Sequence, residues 1–159
     1  MFGVCLIAMA EPKQVSRKQY AEFKGVRWNA FVDLCYMNIE ELTPIQRTAH
    51  LVFLYSGEIY NGGHYQYFVN KGHYDHKQVI RSLDQIGCGE HAANLAAAFK
   101  HVTANPIDRP ESVEDFLGGA ADCDLSSYDE VFNKSHMTIN TALGNYLDEH
   151  EVDFVEWVP

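Results

Sequence analysis

The sequence predicts an all-α protein, a single compact multi-helix domain, and three observations carry that prediction. Apolar residues recur at helical spacing in one segment after another, each opened by a capping residue and closed by glycine or proline. Alternation of apolar and polar residues with a period of two, the mark of a half-buried strand, is rare. No internal repeat and no low-complexity tract divides the chain, so residues 1–159 read as one domain, with 1–15 as an N-terminal extension and the helical core from about 16 onward. A chain of 159 residues, 47% of them hydrophobic, can bury a core without metal or disulfide staples.

Ser16 caps a predicted helix through about Asp33, with Tyr20, Phe23, Trp28, Phe31 and Val32 near helical spacing. Thr43-Pro44 is a stronger start, a capping hydroxyl followed by proline at the first helical position. The broad apolar face of Ile45, Ala49, Leu51, Val52, Phe53, Leu54 and Tyr55 predicts a central, buried helix running to Asn61-Gly62-Gly63. There the asparagine and paired glycines supply positive φ angles that let one helix stop and the next begin. A short helix from His64 to Asn70 turns Tyr67 and Phe68 inward and ends at Lys71-Gly72.

Asp75 opens the next helix, whose Val79, Ile80, Leu83 and Ile86 lead to the Gly87-Cys88-Gly89 break. Glu90 to Val102 follows, rich in alanine and suited to close packing against a neighbour. Asn105-Pro106 and Arg109-Pro110 bracket a loop, because the residue before a proline is pushed away from helix. Ser112 caps a short helix to about Ala121, Ser126 and Ser127 offer overlapping caps for another, and the last helix starts near Thr138. From Val152 to Pro159, aromatics mix with acids, and either a frayed helix or an extended segment docked by its aromatics fits the pattern.

The four cysteines, Cys5, Cys35, Cys88 and Cys123, have no paired spacing and read as reduced, mostly buried thiols. The apolar start ends in Ala8-Met9-Ala10 but has no basic residue before it and is too short for a signal peptide, so a cytoplasmic protein is expected.

Charge is the most informative property. The net charge of −10 argues against nucleic acid or an anionic membrane as direct partner and favours a basic one. It is also confined: residues 1–100 balance to +1, whereas residues 101–159 carry thirteen acids against Arg109 and Lys134, a balance of −11. Glu114, Asp115, Asp129 and Glu130 have a local reason to be there, since carboxylates favour helix N-termini. The remaining acids do not. Asp148, Glu149 and Glu151 cluster where the helix dipole disfavours anions, and if helix continues, Glu149 and Asp153 form a like-charge pair costing about 0.2 to 0.5 kcal/mol. Folding gains nothing from such an arrangement, so Asp122, Asp124, Asp148, Glu149, Glu151, Asp153 and Glu156 become the candidate partner-binding residues.

Other chemistry is thinner. His64, His73 and His76 with Asp75 invite a metal, but no His-Glu-x-x-His pairing occurs, and surface or capping roles are expected for the eight histidines. No metal and no cofactor is expected. Glu58, Asn61, His64, Gln66 and Tyr67 offer a rival, a polar pocket of a small enzyme or ligand-binding protein with Glu58 as a base of raised pKa. The structural reading makes Asn61 a helix C-terminal residue and gives Gln66 and Asn70 to backbone groups freed at the breaks. No phosphate loop, nucleophile elbow or dinucleotide fingerprint is present, and a non-enzymatic role is expected.

The string Glu58-x-x-Asn61-Gly62-Gly63-x-x-Gln66-Tyr67-Phe68-x-Asn70-x-Gly72, followed by Leu83-Asp84-Gln85-Ile86-Gly87-Cys88 and the alanine-rich helix, resembles the DNA-mimic-protein-19-like family of bacterial proteins. The resemblance is good from about Thr43 to Phe99. It implies an all-helical fold, a homodimer, and an acidic surface that imitates the DNA phosphate array to occupy a DNA-binding protein such as a repressor or nucleoid-type protein. An immunity or regulatory module, acidic because its target is basic, is the other binding role compatible with the sequence.

Overall fold

The computed structural model describes residues 9–159; the apolar start with Cys5 lies outside the described residues. The chain divides into two units, one holding the residues up to His50 together with Gly144–Pro159, the other Leu51–Leu143. Helix dominates both, as the periodicity predicts.

In the first unit, β1 (Lys13–Ser16) runs directly into α1 (Arg17–Glu22), which opens with a complete capping box. The Ser16 hydroxyl accepts from the Gln19 N–H at 3.0 Å, and the Gln19 side chain accepts from the Ser16 N–H at 3.2 Å. The single helix expected through Asp33 is instead two, α1 and α2 (Val26–Cys35). Phe23 turns extended, at φ −146° and ψ 107°, and its ring occupies the space that a side chain on Gly25 would need. Glycine is the poorest helix former after proline, so the pattern yields at that point. A single 3-10 turn at Ile39–Glu41, capped by Asn38, was not anticipated.

The C-terminal tail resolves into both of its alternatives in succession. One helical turn, α9 (Glu151–Phe154), leads into β2 (Val155–Val158), which pairs in parallel with β1 in the register Val15 to Trp157. Two strands alone are marginal. Here Val15 and Val155 are buried, Phe154 meets Phe31 edge-on at 5.8 Å, and Trp157 meets Tyr20 at 5.2 Å.

The long helix α3 (Pro44–Lys71) starts as expected, with Thr43 and Gln46 exchanging capping hydrogen bonds at 3.0 and 3.3 Å. The Gln46 amide then donates to the Asp153 carbonyl at 2.7 Å and the Ala10 carbonyl at 3.3 Å, which satisfies a buried polar group.

In the second unit, α3 is broken at the two glycines, and its two halves are separate helices in geometry. After it come α4 (His76–Gln85) and α5 (Gly89–Ala104), joined through Gly87 at φ 85°. Asp75 caps α4 by accepting from the Lys77 and Gln78 N–H groups. These two helices pack together, burying Val79 and Leu83 of one and Ala92, Leu95 and Ala98 of the other, so the alanine-rich face does meet a neighbour. Each such leucine contributes about 1.5–3 kcal/mol by leaving water. Next are α6 (Val113–Asp122), α7 (Ser126–Lys134) and α8 (Ile139–Glu149). The capping group before α7 is Asp124, accepting from the Ser126 N–H and hydroxyl, rather than the serines themselves. A carboxylate two residues ahead of the first free N–H reaches it without strain.

Of the cysteines described, Cys88 is buried and Cys35 and Cys123 are half-buried, all as free thiols. Burial pushes Cys35 up to about 12 and Cys88 up to about 11, so neither is a reactive thiolate. Among the described residues, no helix is long and apolar enough to cross a membrane.

Candidate functional site

The Asn-Gly-Gly junction is built around one carboxylate. At Gly63 the chain takes φ 74° and ψ −172°, a conformation open essentially to glycine alone, while Gly62 at φ −168° is ordinary extended backbone. Asn61 is exposed and has no positive φ, so the expectation of several left-handed residues narrows to Gly63. This turn starts a new helix at His64 whose first N–H groups need a partner. Asp129, from α7, provides it: its Oδ1 accepts from the His64 N–H at 2.9 Å and from the His64 ring Nδ1–H at 2.6 Å. The same carboxylate lies where a Gly63 side chain would begin. Tyr55 completes the chain of contacts by donating its hydroxyl to His64 Nε2 at 3.1 Å. A carboxylate can only accept, which fixes the Nδ1–H form of the ring.

His64 is fully enclosed among Tyr55, Phe68, Tyr128 and Phe132. Burial lowers its pKa, outweighing the raising effect of Asp129, so the ring is neutral at neutral pH. Desolvation likewise raises the Tyr55 hydroxyl far above its ordinary value.

A second set of bonds bridges the two halves of α3. Glu58 accepts from the Gln66 amide at 3.0 Å and the Asn70 amide at 2.8 Å, and pairs with Lys71 at 3.4 Å. Gln66 and Asn70 therefore serve a carboxylate, not the freed backbone groups assigned to them from sequence. The reason is reach: with Gly62 lacking a side chain, the Gln66 amide lies over it, beside Glu58. Burial alone would raise the Glu58 pKa, but these donors together hold it below the usual carboxylate value. The raised pKa of a general base is thus not found. Gly72 ends the segment where a Cβ would stand 2.7 Å from the Phe68 carbonyl oxygen, so no side chain fits.

The histidines do not converge. Tyr67 shares a 2.9 Å hydrogen bond with His76 Nδ1, and His73 stands edge-on to Tyr74 at 4.7 Å. Contrary to the surface roles expected, His50, His64, His76 and His91 are all buried. The rings of His64, His76 and His91 pack against aromatic side chains of the core, a role the spacing of histidines in the sequence does not reveal. Among the described residues, no group of three or more His, Cys, Asp or Glu side chains could hold a metal ion.

The seven candidate acids fall in different surroundings. In the first unit, Arg27 donates to Asp148 and reaches Glu151 at 3.3 Å, while Glu151 also accepts from the Trp157 indole at 2.9 Å. Glu156 accepts from Gln14, its strand partner, at 3.1 Å, and Asp153 lies 4.0 Å from His150. Folding therefore does use part of this acid run, through a cation more than a hundred residues away. Helix does not continue either: His150 breaks it between α8 and α9, which separates Glu149 from Asp153 and removes the like-charge pair. Glu149 stays exposed.

In the second unit, Asp122 and Asp124 belong to an open trough of about 920 Å³ between the 105–111 loop and α6. Asp108, Glu111, Glu114 and Asp115 line it as well, with Arg109 as the base among the lining residues and Tyr65, Gly118 and Gly119 in its walls. Sequence reasoning missed these four acids by assigning Glu114 and Asp115 to a helix N-terminus and the other two to a loop. Their density, four acids between Asp108 and Asp115, was the available signal.

Residues 40–150 match the family model described as DMP19-like protein. No curated protein and no solved structure matches the chain.

Proposed function

Because the chain belongs to the DMP19-like protein family, we propose that it works by imitating DNA charge, binding a basic DNA-binding protein of repressor or nucleoid type and blocking its access to DNA. It acts by binding rather than turnover, in the cytoplasm, and as a homodimer. The observation that carries this reading is the trough of the second unit, where six carboxylates face open solvent with one arginine among them. Duplex DNA presents one charge about every 1.7 Å of its axis, and a rival for its binding site must offer comparable density. Six acids lining one trough with a single arginine concentrate charge of the sign that a basic DNA-binding surface attracts, and the first unit carries, on its own account, the exposed Glu149 and the acids around Arg27.

The test offers the immobilised chain a pool of proteins eluted from DNA-cellulose. A mimic retains some of them at about 0.05 M salt, releases them to free duplex, and loses them as salt approaches about 0.3 M. Replacing Asp148, Glu149, Glu151 and Asp153 by their amides, or Asp108, Glu111, Asp122 and Asp124 likewise, weakens retention. Retention that free duplex cannot compete would overturn the proposal.

A further inference from the structure

Helix α6 is the least supported element of the second unit: none of its residues is buried. It rests on Tyr65 through two residues, Phe116 at a ring distance of 5.1 Å and Gly119, whose missing side chain leaves room for the Tyr65 hydroxyl. At 100° per residue, Val113, Leu117, Ala120 and Ala121 fall within roughly 100° of the circumference, an arc that begins about 40° round the helix from Phe116. All four are exposed, Val113 by 70% and Leu117 by 64%. This is an apolar ridge at i, i+4 and i+8 that stays exposed among the described residues.

We infer that this ridge docks an amphipathic helix of the basic partner, apolar on the face that meets Val113 and Leu117 and rich in lysine or arginine beside it. The inference rests on the DNA-mimic reading and adds to it the kind of segment recognised. Spacing argues for a helix, since ridges of this period pack into the grooves of another helix. Charge argues for basic flanks. Glu114 borders the ridge, Asp115 and Asp122 continue round the same helix, α6 carries no base, and Glu111 stands just before it. A second copy of this chain is disfavoured by the same acids, because a two-fold contact through the ridge would bring two base-free acidic helices together. Apolar anchoring also gives the protein something DNA lacks, a contact that salt does not screen.

The test uses the full chain and two labelled peptides of about 18 residues. One has leucines at i, i+3, i+4 and i+7 with lysines between; the other has serines in place of the leucines at equal charge. The expected result is that the leucine peptide binds at least about ten-fold more tightly, and that Val113→Ser with Leu117→Ser erases the difference without changing the thermal midpoint. If both peptides bind equally and the double variant changes neither, charge recognition stands and the docking inference falls. If neither peptide binds, both readings fall. If the double variant turns a dimer into a monomer in sedimentation and leaves the peptides unaffected, the ridge belongs to a second copy and the inference is overturned.

Discussion

Asp129→Ala is the most exacting perturbation of this fold. The substitution removes the acceptor for the His64 backbone N–H, 2.9 Å away, and for the His64 ring N–H, 2.6 Å away, and His64 has no exposed surface of its own in the intact fold. A hydrogen bond to a charged group contributes about 1.5–3 kcal/mol. The Asp129 side chain is 34% exposed, which favours the low end of that range and puts the pair at about 3 kcal/mol. For a chain of this size that lowers the thermal midpoint by about 6–12 °C. Asp129→Asn keeps one acceptor oxygen and should lose about half as much. Urea unfolding followed by circular dichroism reads the loss as a lower midpoint at constant slope. Glu130→Ala, next in the chain and engaged in a surface pair with Lys134, is the control and should change stability by less than about 0.5 kcal/mol. A loss below about 1 kcal/mol for Asp129→Ala, or one equal to the control, would refute the role given to this carboxylate.

Three further outcomes follow from the same geometry. Gly63→Ala should destabilise by at least about 1–3 kcal/mol, from backbone strain at φ 74° and the crowding of Asp129, whereas Gly118→Ala, which meets nothing within 4 Å, should be neutral or stabilising in the same urea assay. Burial lowers the pKa of His64, His76 and His91, so the unfolded chain takes up protons near pH 6.5 that the folded chain refuses. Their contribution is intact above that pH and declines as pH falls toward the folded values, by up to about 1.4 kcal/mol per pH unit for each histidine; urea midpoints that stay flat between about pH 7.5 and 5.5 would contradict it. Arg27→Gln should release Asp148 and Glu151 and tighten retention of the DNA-cellulose proteins at low salt, at a stability cost of about 1 kcal/mol, and weaker retention in a folded variant would count against the acids around Arg27.

Helix starts were legible where a cap and its target lie within three residues, as at Ser16, Thr43, Asp75 and Ser112, because such chemistry is closed within the segment itself. The break at Gly62-Gly63 was legible for the same reason, and so was the family, whose motif from Glu58 to Gly72 proves to be a turn and the clamp that spans it. The split of the first helix was not, since it depends on where the Phe23 ring settles over Gly25.

The candidate site was legible as charge and illegible as place. The sequence already contains the excess of thirteen acids over two bases in its last third, a property that no folding can alter. Which of those acids remain available is a matter of long-range pairing. Asp129 is taken by His64 across 65 residues, Asp148 by Arg27 across 121 and Glu156 by Gln14 across 142, while the acids of 108–124 are left around an open trough. Helical period and caps act over a turn or two of backbone and can be read in order along the chain. A carboxylate's partner is chosen by whichever donor the packed core brings within about 3 Å, and that choice exists only once distant segments have met.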